Sequence, residues 1–480
     1  MFKQKAMLLL SRQSVIAILK DIRFWIILFF ALRLYGITNA PLEPASTWRQ
    51  CDVLMIARNF YEIDSNILYP RVDLAGNSEG IVGVEFPIYN YLIYLLSILF
   101  GFEDWYGRII NLVATSFGAF YFYKLISRNF NEEHAFYSTI LLLVTGWFSF
   151  ARVTIPDTFA ASICIVSLHF AFNYFEKGKL KDIALFTLMA SVGCLSKISA
   201  ASLLTVLLIP MLNVKIDFSR KIALSLSAGL ILFLVCLWYF YWVPHLNTIG
   251  YAGHFFMGMP FSDGIRDILN NPAISLKRFY DDPLKYSGFA FFLFSIYIAF
   301  KNRNLVPFFT FLIPFLGFVV FILKSGWGYY VNGYYFLMFL PAMTFMCGYG
   351  MSIIKNKKLQ LAILVIIGIE NIANQVHVFQ IRDSYVAYID LENILLHANV
   401  GKNDLIAINN PEGHNPTPMF MAHRRGWNLP NDYLSKEENR AYLKESNCKY
   451  ILVLKKQYGE DVDLPLQELY DSDDFKIYKL

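Results

Sequence analysis

Apolar runs of about 14 to 23 residues recur along most of this chain, and a helix that crosses a bilayer needs roughly 20 apolar residues. No other feature constrains the fold so strongly. Taken as helices, the runs fall near 22–39, 107–126, 135–152, 157–175, 182–196, 199–213, 221–243, 287–300, 305–323, 333–353 and 357–375. The expected class is a polytopic α-helical membrane protein of about 11 transmembrane helices. Composition agrees: 56% of the 480 residues are hydrophobic and only 16% are charged, where a soluble domain carries about a quarter charged residues. A net charge of +5 with no dense basic face argues against a nucleic-acid partner. The six cysteines are scattered and mostly lie in apolar runs, the usage of buried thiols rather than of disulfides or a metal cluster.

Orientation follows from Lys and Arg between the runs. The start of the chain, with Lys3, Lys5, Arg12, Lys20 and Arg23, reads as cytoplasmic, ahead of a retained anchor. The basic loops at 124–130, 176–182, 213–221, 301–304 and 354–358 then share that side. Residues 40–106, 244–286 and 324–332 fall outside. Counting FPIYNYLIYLLSILF (86–100) as a span would reverse every later basic loop, so it reads as an amphipathic helix in the outer interface. The expected location is a membrane, with the start of the chain on the cytoplasmic side.

Residues 376–480 change character. They carry many acidic residues and three short strand-like runs, DLIAINN, KYILVLKK and FKIYKL, separated by charged, helix-like stretches such as SKEENRAYLKES. The expectation is a transmembrane domain over 1–375, with a large first outer loop at 40–106, followed by a small extracytoplasmic α/β domain over 376–480.

The polar residues that demand explanation gather on the outer side. They are TWRQCD with Arg49 and Asp52, then Arg58, Glu85 in GVEFPIYNY, Arg152 and Asp157 in ARVTIPDTF, Lys197 in LSKIS, His245, His254, and Tyr334 with Tyr335 in GYYFLMFLP. A charge at a membrane helix end costs several kcal/mol and needs a partner or a function. Each also has a plain structural reading. Arg49 and Asp52 fit as caps of a helix starting near residue 52. Asp157 after Pro156 suits a helix N-terminus. Lys197 fits a snorkelling side chain, Glu85 a loop charge, the two histidines loop structure, and the tyrosines an interfacial belt.

TWRQCDVLMIARNF, EFPIYNYL, ARVTIPDTF, LSKIS and GYYFLMFLP resemble, in order, segments of the membrane-embedded GT-C glycosyltransferases. They are most similar to the bacterial glycosyltransferase family 39-like proteins, relatives of protein O-mannosyltransferases and lipid A aminoarabinose transferases. The resemblance spans residues 20 to about 375 and implies a GT-C fold, a polyprenyl-phosphate-linked sugar donor, and transfer to a glycan, lipid or protein acceptor on the periplasmic face. It implies Asp52 as general base and Lys197 as a donor-phosphate ligand, with Arg152, Arg49 and Arg58 as further phosphate candidates. Asp157 is implied as an acceptor- or cation-orienting group, and Glu85, Tyr334, Tyr335 and His254 as substrate-binding candidates. At Glu85 the chain reads Glu-Phe-Pro where relatives often have Lys-Pro-Pro or His-Pro-Pro, a reversal of charge. The resemblance fixes no cofactor and leaves metal dependence open, with Asp52, Glu85 and Asp157 as the ligands of a divalent metal if one binds.

The chemistry fits that reading. The chain contains no Gly-rich nucleotide loop. A sugar on a lipid phosphate has a leaving group that needs cations rather than a general acid. A carboxylate must take the acceptor's proton, and a single displacement inverts the anomeric centre. The alternatives are a polyprenyl-linked sugar transporter or flippase, which often shows repeated spans, a glycan polymerase or ligase, and a non-catalytic scaffold. In the outer domain, His423, Arg424, Arg425, Gly426 and Trp427 form a basic-aromatic cluster suited either to carbohydrate or polyanion contact or to a surface loop with a buried tryptophan.

Overall fold

The computed structural model describes residues 12–250, 258–410, 412–455 and 462–480. Twelve helices organise it: α1 (Ile22–Arg33), α2 (Thr47–Glu62), α3 (Ile88–Phe100), α4 (Tyr106–Asn129), α5 (Glu132–Val144), α6 (Pro156–Lys177), α7 (Leu180–Ser196), α8 (Phe218–Ile249), α9 (Pro272–Lys301), α10 (Leu305–Ser325), α11 (Leu340–Ile353) and α12 (Lys357–Ala373). Among the described residues five of them, α4, α6, α8, α9 and α10, are long and apolar enough to cross a membrane. A sixth arises if α12 and the helical turns Val376–His397, bent by 43° from it, count as one.

Most of the other apolar runs form helices too short to pass that test, and two of the long helices are interrupted. The run at 22–39 yields only α1, because the chain turns at Gly36 with φ of 63°. The run at 135–152 breaks after Val144. Gly146 faces the Phe336 ring, leaves no room for a Cβ, and donates its N–H to the Pro283 carbonyl. The run at 199–213 becomes one short apolar helix, Ile198–Leu212, that alternates between 3-10 and α geometry. Helix α9 is interrupted at Lys285, two residues after Pro283. Helix α8 widens into a π turn over Leu237–Trp242, just before Pro244.

The bundle packs through small residues. Gly118 of α4 lies against Ser162 of α6, Gly193 of α7 against Cys164 of α6, and Gly348 of α11 against Ser138 of α5. Glycines at these crossings let backbones approach closely, the usual source of cohesion where water supplies no hydrophobic drive. Segment 86–100 does form a helix, α3. Tyr89, Asn90, Ile93 and Ser97 are buried on one face, while Leu95, Ile98, Leu99 and Phe100 are exposed on the other.

Toward the end of the chain a five-stranded sheet forms in the order β2-β1-β3-β5-β4, from β1 (Leu405–Asn409), β2 (Arg425–Leu429), β3 (Cys448–Leu454), β4 (Gln467–Asp471) and β5 (Phe475–Lys479). Strand β1 is parallel to β2 and β3, and β5 is antiparallel to β3 and β4. Strands β1, β3 and β5 are the three runs legible in the sequence, since each is apolar and mostly buried. The basic-aromatic segment around residue 425 is an edge strand rather than a surface loop, and Arg424 is buried on the carbonyls of Val400, Ala422 and His423.

That edge is occupied by the first loop. Gly76 donates to the Gly426 carbonyl at 2.8 Å, and Gly426 donates back to Asp73 at 3.1 Å. Trp427 packs against Gly76. Beside it, His423 places one ring nitrogen 2.9 Å from Glu62 and the other 3.0 Å from Glu392. One hydrophobic core joins α2 and α3 to the sheet, with Leu54, Tyr89, Tyr388, Ile406 and Phe420 all buried in it.

Candidate functional site

Helix α2 begins at Thr47, so Asp52 lies in its second turn and does not cap it. The helix is buried on nearly every side, between α3, the ends of the bundle helices and the sheet. Gln50 ties it to the turn before α6 by accepting from the Thr154 N–H at 3.3 Å. Asn90 of α3 donates to the Val53 carbonyl at 2.8 Å. Arg49 and Asp52, three residues apart, therefore share a face whose position is set from both sides.

That face is one end of a continuous chain of charges. Arg49 Nη1 donates to Asp52 Oδ2 at 2.5 Å, and Arg49 Nη2 donates to Glu85 Oε2 at 2.6 Å. Lys197 Nζ donates to Glu85 Oε1 at 2.8 Å and lies 3.7 Å from Asp157 Oδ1. Five ionisable groups from four separated segments thus meet. Asp157 is the second residue of α6, behind Pro156, and Lys197 caps the end of α7 in extended conformation. Glu85 stands on the irregular segment before α3, held by Trp238 of the π turn, whose Nε1 donates to the Val84 carbonyl at 2.9 Å. The Trp238 ring meets Phe86 edge-on. All five side chains are largely or wholly buried.

The electrostatics follow from contact. Burial alone would raise the Glu85 carboxyl, but Arg49 and Lys197 outweigh it and hold the group well below the usual carboxylate range. Asp157 is completely buried, and neither of its oxygens has a hydrogen-bond partner, so Lys197 is its one ion-pair partner among the described residues. Tyr335 faces the same lysine, with Nζ 5.5 Å from the ring centroid, and Tyr334 stands edge-on to Tyr335. A small void of about 10 Å³ borders the cluster, lined by Arg49, Glu85, Asn90 and Ser196 and otherwise by mostly apolar side chains of α2 and α3 and the segment between them.

Two of the sequence candidates sit elsewhere. Arg58 donates to Asp73 at 2.8 Å and to the Phe420 carbonyl at 3.1 Å, with its guanidinium 4.4 Å above the Phe420 ring. Arg152 donates to Glu43 at 3.1 Å and to the Gly36 carbonyl at 2.7 Å, and stacks on Phe379. Both are spent on protein groups away from the charge chain. His254 lies outside the described residues. His245 packs near Trp242 at the far end of α8. Among the described residues no three His, Cys, Asp or Glu side chains form a group that would hold a metal ion. Asp52, Glu85 and Asp157 are each turned onto Arg49 or Lys197 instead, so no step through a metal is derived.

Sequence reasoning missed Glu43, buried between Arg108 at 3.3 Å and Arg152 at 3.1 Å. Arg108 also donates to the carbonyls of Ile37, Asn39 and Ala40, so these ions clamp the entry to α2. Trp238 was missed too. Its neighbours in the sequence, LWYFYW, look like any aromatic interfacial run, and only the π turn distinguishes it.

Comparison with known proteins agrees with this architecture. A family model described as dolichyl-phosphate-mannose-protein mannosyltransferase matches residues 85–242, from Glu85 to the π turn. No curated protein matches the chain. The crystal structure of ArnT from Cupriavidus metallidurans bound to undecaprenyl phosphate superposes with a TM-score of 0.60 at 12% identity, over 95% of this chain and 98% of that one. The Archaeoglobus fulgidus oligosaccharyltransferase crystallised with zinc and sulfate gives 0.54 at 14% identity, over 86% of this chain and 64% of that one. The oligosaccharyltransferase AglB of the same organism, in complex with an inhibitory peptide and a dolichol-phosphate, gives 0.52 at 12% identity, over 91% and 70%. The chain therefore shares the fold of these proteins.

Proposed function

We propose that this chain is a membrane glycosyltransferase that moves a sugar from a polyprenyl-phosphate carrier to a hydroxyl of a glycan, lipid or protein acceptor. The observation that carries the reading is the buried chain Asp52–Arg49–Glu85–Lys197–Asp157, assembled from four distant segments at one end of the bundle. Buried charges of this number are costly to assemble even when paired, and such clusters concentrate at reaction sites. Arg49 and Lys197 supply the cations that a departing lipid phosphate needs. Asp52 takes the proton of the acceptor hydroxyl as its oxygen bonds to the anomeric carbon. The bond from that carbon to the phosphate oxygen breaks, its electron pair leaves with the lipid phosphate, and the centre inverts. Asp157 orients the acceptor, and Tyr334 and Tyr335 line the donor side.

The fold shared with ArnT, which was crystallised with undecaprenyl phosphate, and with AglB, captured with a dolichol-phosphate, supports a lipid-linked donor. Our topology keeps about eleven crossings, several of them made by the broken helices, with the N-terminus cytoplasmic. Residues 1–375 form the membrane domain and 376–480 the extracytoplasmic one, in a bacterial inner membrane. The hydrogen bonds between the first loop and β2 support placing both on one face of the bilayer.

The test is transfer of radiolabelled sugar from polyprenyl-phosphate donors to envelope acceptors by purified protein in sealed proteoliposomes. Asp52→Asn should retain folding and lose about 10²- to 10⁴-fold in rate, the span of general-base catalysis. Full activity in that variant rules out Asp52 as the base. Labelled lipid crossing the vesicle wall without release of polyprenyl phosphate would identify a transporter instead.

A further inference from the structure

The geometry points to Glu85 as a displaceable internal counter-ion that occupies, between Arg49 and Lys197, the position a donor phosphate must take. This rests on the donor-phosphate reading of those two cations and adds the control of donor affinity. Glu85 presents one oxygen to each cation, Oε2 to Arg49 at 2.6 Å and Oε1 to Lys197 at 2.8 Å. A phosphodiester offers Arg and Lys the same two-oxygen acceptor.

Charge balance requires an exchange rather than an addition. Asp52, Glu85 and Asp157 set three negative charges against the two positive charges of Arg49 and Lys197. A phosphate entering with all three carboxylates in place would bury a fourth negative charge against the same two cations, and an uncompensated buried ion costs several kcal/mol. One carboxylate has to withdraw. Asp52 and Asp157 have short side chains fixed on the helices α2 and α6. Glu85 has the longer side chain, lies outside any helix, and borders the void of about 10 Å³ that it shares with Asn90 and Ser196. That volume is room for about one water, and once turned away from both cations the buried carboxyl takes up a proton, so the cluster gains no net negative charge in the exchange.

Trp238 pins Val84 and Phe86 on either side, so the motion is a rotation of the side chain, with little movement of the backbone. After the exchange Arg49 keeps Asp52, Lys197 keeps Asp157, and the phosphate bridges the two cations. Transfer leaves a second negative charge on the lipid phosphate, and the return of Glu85 competes that product off the cations.

The experiment measures undecaprenyl phosphate binding to the full chain in nanodiscs by native mass spectrometry, for wild type, Glu85→Gln, Glu85→Asp and Lys197→Gln. Glu85→Gln should bind at least tenfold more tightly than wild type, Glu85→Asp should restore wild-type affinity, and Lys197→Gln should bind more weakly. If Lys197→Gln weakens binding while Glu85→Gln binds no better than wild type, the counter-ion role fails and the phosphate site stands. If wild type and Glu85→Gln both fail to bind, the donor reading fails with it. Should Glu85→Gln not fold, Trp238 emission in the wild type, isolated by subtracting Trp238→Phe, reports on the same step. It should change as undecaprenyl phosphate binds, and constant emission during demonstrated binding would overturn the exchange.

Discussion

Replacing Arg58 with Met separates the two roles that its sequence context allows. In the structure its guanidinium is almost fully buried, paired with Asp73 at 2.8 Å, bonded to the Phe420 carbonyl at 3.1 Å and stacked on the Phe420 ring. It joins α2 to the first loop and to the helix Thr417–Ala422 before β2. Methionine keeps the length and apolar stem but leaves Asp73 buried with Asn59 as its remaining hydrogen-bonding side chain, at 2.9 Å. Removing one partner of a buried pair costs about 3–5 kcal/mol, because the other charge stays behind unpaired. Neutralising that charge as well should recover much of the loss, so Arg58→Met combined with Asp73→Asn should be more stable than Arg58→Met alone. Hydrogen exchange is the assay. Amides of β2 and of Thr417–Ala422 should lose roughly two to three and a half orders of magnitude of protection in Arg58→Met, the equivalent of that free energy at about 1.4 kcal/mol per decade. Unchanged protection together with weakened undecaprenyl phosphate binding would refute this account and return Arg58 to the phosphate site.

Two further outcomes follow from packing and charge. Gly348→Ala would place a Cβ 2.6 Å from the backbone nitrogen of Ser138, so α11 and α5 must separate; thermal stability in detergent should fall by the equivalent of about 1–3 kcal/mol, whereas no change would mean that the helices are not in such close contact. The Glu85 carboxyl is held below its ordinary value of 4.5, so its ionised form contributes stability above that pH and the contribution disappears only as pH falls through the lower folded value. The melting-temperature difference between wild type and Glu85→Gln should therefore stay constant from pH 7 to pH 5 and shrink only below about 4.5; a difference that vanishes by pH 6 would contradict the ion-pair network.

The sequence by itself determined the class of this protein and singled out every member of its buried charge cluster. Long apolar runs need a non-aqueous solvent wherever they end up, and charges such as Asp52, Asp157 and Lys197 stand out because a membrane-adjacent position makes an unpaired charge costly. Strands β1, β3 and β5 were legible for the same reason, each being a short buried apolar run between polar turns. What only the tertiary structure decided was pairing. Arg49, Arg58 and Arg152 are alike as letters, yet one reaches Asp52 and Glu85, one Asp73, and one Glu43. The edge strand β2 was hidden because its partner on the outer side is the first loop, some 350 residues earlier in the chain. Helix lengths depart from the apolar runs at Gly36 and Gly146, since hydropathy records how apolar a segment is and carries no information about close contact with a distant residue.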